Sequence, residues 1–255
     1  MNPHAVLAGS MATLTTLVFL APPIAQPLSY HDFADRRACF GLPNCLDVIS
    51  NAGFMLAGAY GLYCLRFLSG EAGRRAFIDA REARPYAVFF LAVVLIGFAS
   101  AWYHLAPDNG RLAWDRAAMA LAFMAWFSAL LTERVGVKAG LAHLPPLAAA
   151  GLGAVVYWLL SEARGAGDLR PWLLIQLLPM VLAPLLLWLY PPRYSHVRDT
   201  MAVIGLYLIA LLLDLGDHAV FALTSGAVGG HALKHATAAL AAWLIARHLR
   251  RRLPA

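Results

Sequence analysis

Long apolar runs broken by short polar stretches organise the whole chain. Eight runs, at about 5–25, 45–66, 84–106, 114–134, 142–161, 170–190, 198–221 and 230–249, are long enough or nearly so to cross a hydrocarbon core, which takes about 20 helical residues. Their separators are turn-forming or charged. Gly70 to Arg84 carries charge, Pro107-Asp108-Asn109-Gly110 is a turn, Gly165 to Asp168 is glycine-rich, and Pro191-Pro192-Arg193 and Ser225 to Gly230 complete the set. The pattern predicts an all-α polytopic transmembrane helical bundle, with seven core spans and an extra N-terminal helix. No internal repeat is visible and no stretch is left over for a soluble domain.

Composition strengthens that expectation. Of 255 residues, 61% are hydrophobic and 13% charged, against about 45–50% and about 25% in a soluble domain. Disorder, a collagen-like fibre and a disulfide framework are excluded, the last by a cysteine count of 3. A net charge of +6 raises nucleic acid as a partner. The arginines, however, are scattered between apolar runs, as topology signals are, so no nucleic-acid partner is expected, and no obligate protein partner is evident. Segment 1–26 reads as an uncleaved hydrophobic helix rather than a signal peptide: it lacks a basic start, and prolines crowd Ala21-Pro22-Pro23-Ile24-Ala25.

The arginines also orient the chain. Arg66, Arg74, Arg75, Arg81, Arg84, Arg134, Lys138, Arg193, Arg198, Arg247, Arg250, Arg251 and Arg252 fall on one side. Arg36, Arg37, Arg111, Arg116, Arg164 and Arg170 fall on the other. The positive-inside rule then expects a cytoplasmic C-terminus, with 27–44, 107–113 and 222–229 facing the periplasm or lumen.

Ionisable groups inside spans are costly and usually functional. Ser100 and His104 stand at i and i+4 near the outer end of the third run. Asp115 begins the fourth run just past the turn, and His231 and His235 stand at i and i+4 at the outer start of the last. Three helices can therefore converge these five residues at one depth. Three imidazoles with an open position are the ligand set of a catalytic zinc site. Zinc brings the pKa of a water ligand to about 7 and polarises carbonyls. Asp115 is the natural general acid/base, and the Ser100 hydroxyl can donate to a developing oxyanion. Taken singly, Ser100 reads as a helix-packing residue, and His143 and His248 as solvated interfacial side chains. Asp214, Asp217 and His218 are either partners orienting a ligand histidine or interfacial residues without a role. Lys234 is expected to point away from the metal and snorkel outward.

Gly97-Phe98-Ala99-Ser100-Ala101-Trp102-Tyr103-His104, then Asp115, then Gly230-His231-Ala232-Leu233-Lys234-His235 resembles the S-x3-H…D…H-x3-H signature of the CREST superfamily of seven-span membrane hydrolases. That superfamily includes alkaline ceramidases, PAQR receptors and haemolysin III-like proteins. Tyr30-His31-Asp32-Phe33-Ala34-Asp35 and Asp47-Val48-Ile49-Ser50-Asn51 resemble the alkaline ceramidase (phytoceramidase) branch, with Asp47 where that branch has asparagine. The resemblance covers about 30–249, so 27–255 is expected as a seven-span ceramidase-like domain. It implies zinc on His104, His231 and His235, with Asp115 and Ser100 beside it. It also implies a membrane-facing pocket and hydrolysis of the amide of ceramide, or a related N-acyl lipid, to a sphingoid base or amine and a fatty acid. Animal members carry a calcium site near the N-terminus. Its counterparts here are Asp32, Asp35 and Asn44, but Arg37 places a cation where a neutral ligand is wanted.

Two other functions compete with a zinc amidohydrolase. One is a PAQR-like receptor or haemolysin III-like protein with another lipid substrate, which keeps the zinc. The other is a b-type cytochrome using paired histidines. Cys39 and Cys45 are expected to be ordinary buried thiols, with a short-loop disulfide as the alternative, and Cys64 is expected in the core.

Overall fold

The computed structural model describes residues 2–68 and 76–255; Gly70, Arg74 and Arg75 of the expected inner loop lie outside the described residues. Among the described residues ten α-helices follow one another: α1 (Pro3–Leu20), α2 (Cys45–Ser50), α3 (Ala52–Leu68), α4 (Ala83–Leu105), α5 (Asn109–Arg134), α6 (Val137–Ala163), α7 (Arg170–Leu189), α8 (Val197–Leu215), α9 (Asp217–Leu223) and α10 (Gly230–Arg251). Among the described residues there is no β-strand. The chain is an all-α, multi-pass membrane bundle.

Each of the eight apolar runs is helical, with adjustments set by local chemistry. The α5 helix begins earlier than hydrophobicity alone indicates, because the Asp108 side chain accepts a hydrogen bond from the Arg111 amide at 2.8 Å and so satisfies a first-turn donor. The seventh run is two helices, α8 and α9, bent by 82° at Gly216. The second is split between α2 and α3 at Asn51, whose amide donates to the Asp47 carbonyl at 2.7 Å. Prolines 145, 146, 179 and 184 sit inside α6 and α7 without ending them; spanning helices tolerate this where neighbouring groups satisfy the freed carbonyls.

Among the described residues five segments, those of α1, α2–α3, α4, α6 and α7, are long and apolar enough to cross a membrane, and the bent α8–α9 pair makes a sixth. The α5 and α10 helices carry more charge than a lipid-facing span tolerates. The reason lies in packing. The α5 helix runs through the middle of the bundle against α4, α6 and α7, and α10 packs against α3 and α8. Asp115, Arg116 and Glu133 of α5 are buried against protein, while Arg250 and Arg251 are exposed at the end of α10.

Close approach of α3 to α4 depends on glycine. A Cβ on Gly58 would lie 2.7 Å from the Phe90 carbonyl oxygen and 2.8 Å from the Val94 amide nitrogen. Small residues of this kind let helix backbones meet. By contrast α7 and α8 touch only sparsely, and the main cavity lies between them.

Two sequence expectations change here. Arg252, counted in the basic C-terminal tail, is buried: its guanidinium donates to the Glu133 carboxylate and the Ala76 carbonyl, and stacks on Tyr194 at 4.0 Å. A lone tail arginine has no sequence signal for its partner 119 residues away. Cys39 and Cys45, expected as thiols, are joined in a disulfide with Cα atoms 5.5 Å apart; the left-handed turn at Phe40 and Gly41 brings the chain back on itself. Cys64 is a buried free thiol, as expected.

Candidate metal centre and lipid cavity

Ser100 and His104 project from the C-terminal end of α4, Asp115 from α5, and His231 and His235 from the first turns of α10; all five are buried. Among the described residues the three histidines are the one group of this type able to hold a metal, with one nitrogen from each lying within 4.8 Å of the others. Nε2 of His104 and Nε2 of His231 are 3.2 Å apart. The ring of His235 lies 5.1 Å from that of His104 and 4.7 Å from that of His231.

Hydrogen bonds fix what two of these rings can do. His231 Nδ1 lies 2.8 Å from Asp214, and a carboxylate only accepts, so Nδ1 carries the proton and the Nε2 lone pair is free. His235 Nδ1 lies 2.8 Å from the Ser50 hydroxyl, which itself donates to the Asp47 carbonyl. The ring must then donate to Ser50, and its Nε2 lone pair is also free. His104 is fully buried and its Nδ1 has no partner. Three convergent imidazoles, two with the ligand tautomer imposed, fit a divalent metal with nitrogen preference.

The surroundings hold the rings in place. Phe33 packs edge-on to His104 and against His231, both at 4.6 Å. The Asn44 amide donates to the His104 carbonyl at 2.9 Å, satisfying an acceptor that the end of α4 leaves open. Asp217 caps α10 by accepting from the His231 amide at 2.9 Å, and with its other oxygen it accepts from the Ala34 amide at 2.8 Å. One carboxylate thus ties the outer loop to the helix that carries two of the histidines. His31 bridges Tyr103 and Asn109 at 2.8 and 3.0 Å.

Ser100, Asp115 and His235 also line a cavity of about 310 Å³, within the size range of lipid and cofactor pockets. Its walls are mostly apolar, from Phe89, Val93, Ile96, Met119, Phe123, Trp126, Met180, Val203 and Ile245. The Ser100 hydroxyl faces the Asp115 carboxylate, one oxygen of which, Oδ1, is buried without a partner. The geometry places a buried carboxylate, a hydroxyl and the His235 ring in the wall of a hydrophobic chamber, with the His104 and His231 rings packed against His235.

Several residues sit where the sequence did not place them. Lys234 does not snorkel; its ammonium bonds Asp214 at 3.1 Å and lines the cavity, because the α8 carboxylate that accepts from His231 is within reach of Lys234 one turn further along α10. Asp214 is therefore an orienting partner, whereas His218 reaches only the Asp32 carbonyl, at 3.0 Å. His248 is buried against Asp199 at 3.3 Å, while His143 is exposed as expected. Arg116, counted among the outer arginines, is buried inside the bundle beside Asp115. Of the residues expected around a calcium ion, Asp32 pairs with Arg36, Asp35 is gripped by Arg37 at 2.7 and 2.8 Å, and the Asn44 side-chain NH2 donates to the His104 carbonyl. The Arg37 guanidinium holds the Asp35 carboxyl below its ordinary value. It also donates to the Ala227 carbonyl at 2.9 Å, itself supplying a positive charge at that position. Ser50 was visible only as part of the Asp47–Asn51 motif, and its role needed the fold. No family model matches the chain, and no curated protein is significantly similar to it.

Proposed function

We propose that the protein is a zinc-dependent membrane amidohydrolase that cleaves the amide of ceramide or a related N-acyl lipid, as members of the alkaline ceramidase family do. The observation that carries this reading is the histidine cluster with imposed tautomers, next to a Ser100–Asp115 pair in the wall of a hydrophobic cavity. His104, His231 and His235 would hold the ion, which supplies Lewis acidity towards a carbonyl and a water molecule. The acyl chain occupies the apolar chamber and the amide carbonyl lies at its Ser100 end. Asp115 takes the proton from the attacking water as oxygen bonds to the carbonyl carbon. It returns that proton to the amide nitrogen as the C–N bond breaks, leaving a fatty acid and an amine. Ser100 turns from Asp115 to donate to the carbonyl oxygen as negative charge grows there. The arginine bias supports a cytoplasmic C-terminus and a site near the opposite face.

Metal analysis of detergent-purified protein tests the site. About one zinc per chain is expected, lost in His231→Ala. Asp115→Asn is expected to keep the zinc and the helical circular dichroism while slowing amide cleavage by about 10²–10⁴-fold. Zinc retained by His231→Ala, or undiminished cleavage by Asp115→Asn, overturns the assignment.

A further inference from the structure

Arg116 is 4% exposed and lines the cavity beside the proposed chemistry, yet among the described residues no carboxylate forms an ion pair with it. Its Nη2 donates to the Gln26 side-chain oxygen at 2.6 Å, and the Tyr30 hydroxyl lies beside it. The faces of Trp158, Tyr30 and Trp172 surround it at 4.2, 5.3 and 5.4 Å. Asp115 acts on it electrostatically but stays out of ion-pair range and is engaged with Ser100. Nη1 is buried and has no partner at all.

A buried guanidinium with neutral partners and an unmade hydrogen bond is expensive to fold around. Aromatic faces recover part of that cost and hold the guanidinium plane in place, but they leave the charge uncompensated. An arginine presented in this way is built for an anion from the cavity. The anion's charge is also limited. Lys234, the other cation among the described lining residues, is paired with Asp214, so Arg116 presents a single unpaired positive charge, which one carboxylate matches.

We propose that Arg116 binds the carboxylate of a long-chain acidic amphiphile, whose hydrocarbon chain fills the apolar chamber. Binding itself is independent of the hydrolase reading; only the origin of the carboxylate rests on it. It belongs either to the amine side of an N-acyl amino acid, next to the amide to be cut, or to a free fatty acid, the product of cutting.

Equilibrium binding of radiolabelled N-oleoylglycine, its methyl ester and oleate to the purified full-length protein tests this. The parent protein should bind N-oleoylglycine about tenfold more tightly than the ester. Arg116→Gln should bring the acid to the level of the ester and leave the ester within about twofold of the parent, which also shows that the variant is folded. Equal affinity of acid and ester in the parent overturns the proposal without any variant, and so does an acid preference that survives Arg116→Gln. Tight binding of oleate as well assigns the arginine to the fatty-acid carboxylate; tight binding of N-oleoylglycine alone assigns it to the amine side. Hydrolysis is followed in parallel. Acid preference without turnover leaves Arg116 in place and removes the hydrolase reading, and turnover without preference does the reverse.

Discussion

Asp214 shows how much one side chain outside the histidine cluster decides. It accepts from His231 Nδ1 at 2.8 Å and from Lys234 at 3.1 Å, so it sets a tautomer and neutralises a buried cation together. Asp214→Asn keeps an acceptor but loses the charge that would make His231 a stronger ligand in the proposed zinc site. Zinc affinity, measured by competition with a chelator, is expected to fall by about 10–100-fold; an unchanged affinity would show that Asp214 serves Lys234 alone. The five site residues were legible in the sequence because helical spacing puts Ser100 with His104, and His231 with His235, on common faces. Their partners were not. Ser50 lies 185 residues from His235 and Gln26 lies 90 from Arg116, and no local pattern encodes a hydrogen bond across such distances. Arg116 was misplaced for a related reason: an arginine near a span end looks like a topology signal until the helix is known to begin at Asn109.

At the scale of elements, hydrophobic run length located every helix, since backbone groups in a membrane must be satisfied within the segment. It could not reveal the 82° bend after α8 or the Asn51 junction. These arise where backbone carbonyls and side chains meet locally, and mean hydropathy is blind to them. Helix contact is likewise a matter of shape. Gly58→Ala would set a methyl against the Phe90 carbonyl and the Val94 amide, so α3 and α4 must separate, at a cost of about 1–3 kcal/mol. Gly9→Ala in α1 meets nothing within 4 Å and is expected to be neutral or to stabilise by about 0.4–1 kcal/mol. Unfolding of the two variants in mixed detergent–denaturant solution checks the contrast; equal midpoints would mean that the α3–α4 contact adapts freely.

For the whole molecule, α1 is an addition to the bundle rather than part of its core. It buries none of its residues and lies against α7. The chain just after it matters more, because Gln26, Pro27 and Tyr30 line the cavity. Removing residues 2–20 is therefore expected to leave zinc content and ligand affinity within about twofold of the full chain. Removing residues 2–31 should weaken ligand binding while zinc stays; equal effects from both truncations would show that α1 itself holds the cavity. The disulfide between Cys39 and Cys45 has a consequence for the life of the protein in a cell. Such bonds are rare outside oxidising compartments, so this one would serve as a compass needle for the loop that carries it. Protein from cells lacking their thiol-oxidising machinery would carry two free sulfhydryls there, and a maleimide too polar to cross the bilayer would label them from outside only if the needle points outward.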